Sequence, residues 1–216
     1  MNELRLVHNI DNDYELCLDE VGRGCLFGDV YVACVVLPKD YDFDKTNIKD
    51  SKKFTSRTKL KNVANYIKEK SLFWDIQSIS SEIIDEVNIL QAVMKGMHNS
   101  ITNVLNKIDT NKRIELLIDG NYFNRYKDLN HICIKQGDAK YVGIAAASIL
   151  AKDARDQYIE DLCNEHEELD LCYNLKKNVG YATKDHLNGI KEHGITNWHR
   201  KTFGPCKNCD KIKNIV

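Results

Sequence analysis

The chain has 216 residues, 43% of them hydrophobic, and its 31 Lys and Arg against 32 Asp and Glu leave a formal net charge of −1. That length supports one well-packed core and is short for two full domains, and the near-neutral balance excludes holding nucleic acid by bulk electrostatics alone while allowing local basic patches. The opening Met1-Asn2-Glu3-Leu4-Arg5 has no cationic run leading into an apolar core and no stretch is long enough to span a bilayer, so the expected protein is soluble, cytoplasmic and monomeric, with no membrane partner.

Glu15 to Asp19 and Val30 to Leu37 read as two strands, the second stopped by Pro38, and they can form a hairpin through Gly22 to Gly28. Between them lies the most informative stretch, Leu16-Cys17-Leu18-Asp19-Glu20-Val21-Gly22-Arg23-Gly24. An apolar strand ending in two adjacent carboxylates is hard to explain by packing, because burying unpaired charge is costly. Hard cations such as Mg²⁺ take oxygen ligands. Glycines on either side of Arg23 let backbone N–H groups approach a phosphate that the guanidinium can grip in a bidentate way. The alternative is a strand-to-turn junction with solvated acids.

Thr55 or Ser56 can cap a helix running to about Lys70, with Leu60, Val63, Ala64 and Ile67 on one face. Leu72 to Ile76 reads as a strand. After Ser80 a long amphipathic pattern extends from Ile83 to Ile108 at largely helical spacing. Ile114-Glu115-Leu116-Leu117-Ile118-Asp119-Gly120 repeats the theme of an apolar strand ending in an acid and a glycine. A shorter strand, His131 to Ile134, leads through Lys135-Gln136-Gly137-Asp138-Ala139-Lys140 into an Ala-rich helix from about Val142 to Leu162. Thr183 caps a further helix, and the tail from Gly194 carries Trp198-His199-Arg200. Strands alternating with helices after an initial hairpin predict an α/β layered domain with a mixed sheet. The only prolines are Pro38 and Pro205, and no linker is visible.

The eight cysteines are scattered through predicted strands and helices and are expected as reduced thiols. Cys206-Lys207-Asn208-Cys209 has zinc-like spacing without a second pair, so a solvent-exposed tail is favoured over a metal clip.

Asp19, Glu20, Asp119 and Asp138 form the natural group. Carboxylates at neighbouring strand ends can converge, and four packed together would repel one another unless cations joined them. A pair of Mg²⁺ ions there fits hydrolysis of a phosphodiester. Asp153 and Asp156 are rival fourth ligands, but both lie inside the Ala-rich helix, where an ion pair with Lys152 or Arg155 is the plainer role.

With these residues in view, the chain resembles type 2 ribonuclease H, specifically the bacterial-type ribonuclease HII. The resemblance rests on Asp19-Glu20-Val21-Gly22-Arg23-Gly24, Asp50-Ser51-Lys52-Lys53, Leu117-Ile118-Asp119-Gly120-Asn121, Lys135 to Lys140, Ile144 to Lys152, Arg155-Asp156, Gly180-Tyr181-Ala182-Thr183 and His199-Arg200-Lys201-Thr202-Phe203. It implies a ribonuclease H-like α/β fold, a mixed sheet flanked by helices, with a catalytic part over residues 1–165 and a C-terminal helical extension over 166–216 packed on the same unit. It also implies an endoribonuclease that cuts RNA in RNA–DNA hybrids and incises duplex DNA 5′ of an embedded ribonucleotide, using Mg²⁺ or Mn²⁺. The family's metal-binding acids fall on Asp19, Glu20, Asp119 and Asp138. Its substrate contacts fall on Gly22, Arg23 and Gly24, on Ser51 and Lys52, and on Tyr181 as the residue that packs on the sugar after the ribonucleotide. Tyr181 could equally be a core residue. Where the family has prolines in the glycine-rich stretch this chain has Cys25 and Asp29, and Phe27 replaces a small residue, which bears on the rigidity of that loop. The competing readings are a catalytically weak hybrid-binding protein and another two-metal nuclease.

Overall fold

The structure, a computed structural model, describes residues 3–40 and 43–213, so the first two residues of the opening segment and the last three of the expected extension lie outside the described residues. In chain order come β1 (Tyr14–Val21), β2 (Val30–Val36), a 3₁₀ turn (Ser51–Lys53), α1 (Arg57–Lys70), β3 (Phe73–Ile79), α2 (Ser81–Val87), α3 (Ile89–Leu105), β4 (Ile114–Asp119) and β5 (Asn130–Ile134). A second 3₁₀ turn (Gly137–Ala139), α4 (Val142–Glu165), α5 (Glu167–Tyr173), α6 (Leu175–Asn178), α7 (Lys184–His193) and α8 (Gly204–Lys207) complete it.

The strands form one mixed sheet in the order β3-β2-β1-β4-β5. β1 and β2 make the expected antiparallel hairpin, whereas β4 lies parallel to both β1 and β5. β1 is buried from Glu15 through Asp19, on both faces of the pleat, which is why its sequence reads as a continuous apolar run rather than an alternating one. Ser56 caps α1 by accepting from the Lys59 N–H, and Leu60, Ala64 and Ile67 face the core. The helical run predicted from Ile83 to Ile108 is broken at Asn88. Its backbone takes a left-handed φ of 68° while its side-chain oxygen accepts from the Leu90 and Gln91 N–H groups, so one residue ends α2 and starts α3. Among the described residues no helix is long and apolar enough to cross a membrane.

The chain divides into two compact units. The first takes the segment up to Val21, Tyr31–Gln77 and Met94–Asp153; the second takes Gly22–Val30, Ser78–Val93 and the chain from Ala154 onward. In the first, the Ala-rich start of α4 packs Ala145, Ala146, Ile149 and Leu150 with Ala33 and Val35 of β2 and with Leu60, Ala64 and Ile67 of α1. Small side chains bring helix and sheet close: a Cβ on Gly143 would stand 2.4 Å from the Cys17 sulfur. Asp153 is buried and pairs with Arg57 and Lys68, not with Lys152 or Arg155 as the sequence led us to expect, because α1 supplies cations to its face.

The second unit is built around Leu26, Phe27, Ile159, Cys163, Leu169, Tyr173 and Ile190. Cys206 belongs to this cluster at 2% exposure, and Ile195 bridges to Ile212, so the Cys206–Cys209 segment is tied down and is not the solvent-exposed tail its sequence predicts. All eight cysteines are free thiols, as expected. His199 is wholly buried here, and burial followed by the neighbouring His186 holds its pKa down at about 3. Because the folded value is depressed, stability is complete above the ordinary value of about 6.5 and is lost as pH falls from there toward 3. Denaturant melts below pH 6 should therefore show a stability slope for wild type that exceeds that of His199→Gln by about 1.4 kcal/mol per pH unit. Equal slopes would mean that the imidazole titrates normally in the fold.

Candidate active site

The parallel register of β1 and β4 pairs Tyr14 with Ile114 and runs to Leu18 with Ile118. Asp19 and Asp119 are the next residues at the carboxyl ends of these adjacent strands, so strand pairing brings together two acids far apart in sequence. Asp138 follows through its 3₁₀ turn: the Gly137 N–H donates to Asp119 Oδ1 at 2.6 Å, which docks that turn against the end of β4. Glu20 continues β1 from Asp19.

These carboxylates act on one another. Asp19, only 5% exposed, has its pKa pushed well above the usual carboxylate range by burial, then by the charges of Glu20 and Asp119. Asp138 is raised by burial, then by Asp119 and Asp50, with Lys52 opposing. Asp19 is the acid most enclosed by protein; the Glu20 N–H donates to it at 2.7 Å, and the nearby Ser148 hydroxyl opposes the rise in its pKa. Ser148 in turn meets the Ser51 hydroxyl at 2.9 Å. Ser51 is itself buried, at 1% exposure, so what it does for the site passes through Ser148, while Lys52 beside it is exposed. Ser148 was legible only as one small residue among alanines. Asp50, whose side chain caps the 51–53 turn, also carries its charge to Asp138.

A contrasting cluster occupies the other end of the same strands, where Glu15 and Glu115 pair in register. Donor atoms of His8, Glu15 and Glu115 lie within 4.8 Å of one another. Their charges are met inside the protein. Glu15 accepts from the His8 and Asn9 N–H groups and has Lys39 at 3.8 Å, and Glu115 accepts from Asn12 and meets His8 Nδ1 at 3.2 Å. This end is a satisfied structural network; the crowded carboxylates are at the Asp19 end.

In the second unit, Gly22 to Asp29 form a loop held by two fully buried guanidiniums. Arg155 donates to the carbonyls of Phe27, Asp29 and Val179, and Arg200 to those of Gly28 and Arg23. The loop is thus anchored without the family's prolines. Phe27 is buried with its ring edge-on to His199, and Asp29 accepts from Tyr158. Gly22 and Gly24 differ in what they are for. Gly22 has φ +91°, and a Cβ there would stand 2.2 Å from Arg155 Nε, so it serves the packing of the loop. A Cβ on Gly24 meets nothing within 4 Å, which leaves its backbone open to a ligand, and Arg23 between them is exposed. Tyr181 is 42% exposed, so it is no core residue. Asp156, a rival fourth ligand on sequence grounds, lies where its charge acts on Cys25 and Tyr181.

The family model for ribonuclease HII matches residues 16–206, which takes in Asp19, Glu20, Asp119 and Asp138. The chain belongs to the ribonuclease HII family. It is 45% identical over 185 residues to the ribonuclease HII of Bacteroides thetaiotaomicron, covering 86% of each chain. Its fold is similar to that of the crystal structure of ribonuclease H2 from Pyrococcus horikoshii OT3, with a TM-score of 0.67, 20% identity, and 90% of this chain and 95% of that one covered. A Bst ribonuclease HIII solved in complex with Mn²⁺ has a TM-score of 0.65 at 19% identity, with 90% of this chain and 68% of that one covered. As a ribonuclease HII, the chain is a metal-dependent endoribonuclease of the type 2 ribonuclease H class that acts on RNA–DNA hybrids.

Proposed function

We propose that Asp19, Glu20, Asp119 and Asp138 hold the divalent ions of the reaction, Mg²⁺ or Mn²⁺, and that the enzyme also incises duplex DNA 5′ of a single embedded ribonucleotide. The observation that carries the metal assignment is the state of Asp19, a buried carboxylate pressed by two neighbouring carboxylates. Such a group is costly to keep ionised without a cation, and an all-oxygen donor set suits a hard one. The Mn²⁺ complex of the fold neighbour supports including that ion. Bound ions would activate a water and stabilise the leaving oxygen. The chain's own part is to orient the acids: the Gly137 N–H holds Asp119 and the Glu20 N–H holds Asp19, with Ser148, backed by Ser51, close by.

Gly22-Arg23-Gly24 reads the ribonucleotide. Only the 2′-hydroxyl distinguishes RNA from DNA at one nucleotide, and the open backbone at Gly24 can approach it while Arg23 takes a neighbouring phosphate. Lys52 offers a further phosphate contact beside the acids. Tyr181 presents an exposed planar ring for the sugar that lacks the hydroxyl.

The test compares duplexes that are all DNA, all RNA, continuous hybrid, or DNA with one ribonucleotide. Cleavage of the last two alone is expected; no cleavage at the single ribonucleotide would reject the incision assignment. Tyr181→Ala should lose on the order of 10²-fold in single-turnover rate at the lone ribonucleotide and much less on the hybrid, because a hybrid offers many registers and a single ribonucleotide offers one. Arg23→Ala should make the salt dependence of binding shallower by about one phosphate contact, and an unchanged slope would place Arg23 away from the backbone.

A further inference from the structure

The backbone of Tyr181 is gripped on both sides. Its N–H donates to Asn178 O at 3.0 Å, and its carbonyl accepts from the Thr183 N–H at 2.8 Å. The same carbonyl lies 2.9 Å from His186 Nδ1. His186 Nε2 is 3.1 Å from His199 Nε2, and His199 Nδ1 receives the Thr196 N–H at 2.9 Å. Both imidazoles are wholly buried, and Tyr173 and Phe27 stand edge-on to the His199 ring at 4.9 and 5.0 Å.

The direction of every bond in this chain is forced. A backbone N–H can only donate, so His199 Nδ1 is an acceptor and its proton sits on Nε2. That Nε2–H donates to His186 Nε2, which places the proton of His186 on Nδ1, aimed at the Tyr181 carbonyl, which can only accept. The relay starts on a backbone donor and ends on a backbone acceptor, with both rings neutral. A second proton on either ring would set N–H against N–H at the 3.1 Å contact.

We propose that His186, backed by His199, is a positioning residue for Tyr181: the imidazole relay holds its carbonyl, so that the exposed ring meets a sugar from one fixed place. This rests on the reading of Tyr181 as the sugar contact. A backbone that shifted at Tyr181 would carry the ring with it, and a positioning error of about 1 Å can cost on the order of 10²-fold in rate. The relay acts through Tyr181, so its effect should appear in discrimination between substrates and not in turnover generally.

Single-turnover rates on the one-ribonucleotide duplex and on the continuous hybrid test this for three variants. Tyr181→Ala tests the underlying reading: without selective loss at the lone ribonucleotide, Tyr181 is not the sugar contact and the inference falls with it. Given that loss, His186→Leu should lose roughly tenfold or more at the lone ribonucleotide relative to the hybrid. His186→Asn, which keeps a donor at the Nδ1 position, should recover most of it. Equal losses on both substrates, or no rescue, would overturn the positioning role while leaving the reading of Tyr181 intact. Should His186→Leu fail to fold, the tautomers of the two rings decide. Ring-nitrogen shifts of wild-type protein by NMR give a readout apart from activity: near neutral pH, one buried histidine should carry its proton on Nδ1 and another on Nε2. The same tautomer in both would break the relay as drawn.

Discussion

Asp19→Asn and Asp119→Asn should each lower cleavage of an RNA–DNA hybrid by roughly 10³-fold or more, since losing a metal ligand removes several kcal/mol of transition-state stabilisation and each 1.4 kcal/mol is a factor of ten. Stability should move the other way. Asp19 is buried beside Glu20 and Asp119, and its pKa is raised, so the carboxyl favours the fold when protonated and that contribution disappears as pH rises through the folded value. At neutral pH this acid works against the metal-free protein, and the neutral amide of Asp19→Asn relieves it. Thermal melts in a chelator should therefore find Asp19→Asn at least as stable as wild type. Added Mg²⁺ or Mn²⁺ should raise the melting temperature of wild type and do little for the variant. Near-normal turnover in a folded Asp19→Asn or Asp119→Asn protein would remove these acids from the chemistry. A strong drop in stability in chelator would make Asp19 a structural residue instead.

Arg155→Met should be strongly destabilising. It strips the donors from the carbonyls of Phe27, Asp29 and Val179 and leaves them buried. Each orphaned carbonyl costs about 1–3 kcal/mol, so a total of about 3–9 kcal/mol is expected and a melting temperature lower by roughly 10 °C or more. Arg155→Lys should recover less than half of this, because one ammonium cannot reproduce a planar fork that reaches three acceptors. A melting temperature within about 3 °C of wild type for Arg155→Met would show that the loop holds its shape without the guanidinium.

Much of the site was legible because it sits where a local pattern changes. Apolar strands that end in Asp19-Glu20 and in Asp119, and a glycine-flanked arginine, break the rules of packing within a few residues and so advertise themselves. Arg155 also carries a sequence signal: Ile144, Ser148, Ala151, Arg155 and Ile159 recur at helical spacing on one buried stripe of α4, and an arginine on such a stripe needs partners. His186 and His199 gave no comparable warning, since a histidine in a polar segment is ordinary.

By itself the sequence determined the order of the strands and helices, the acids and the loop motif, because hydrophobic period, capping residues and turn glycines act over windows of a few residues. The break at Asn88 already lay beyond that reach, since an asparagine inside an apolar helical pattern can continue the helix or, with a left-handed φ, end it. The tertiary structure alone decided that Asp19 stands beside Asp119, that Ser51 is buried on Ser148, that Asp153 pairs with α1, and that Gly22 yields its space to Arg155. These outcomes depend on which distant groups share a desolvated interior, where each buried charge, donor and acceptor must find a partner wherever in the chain that partner lies.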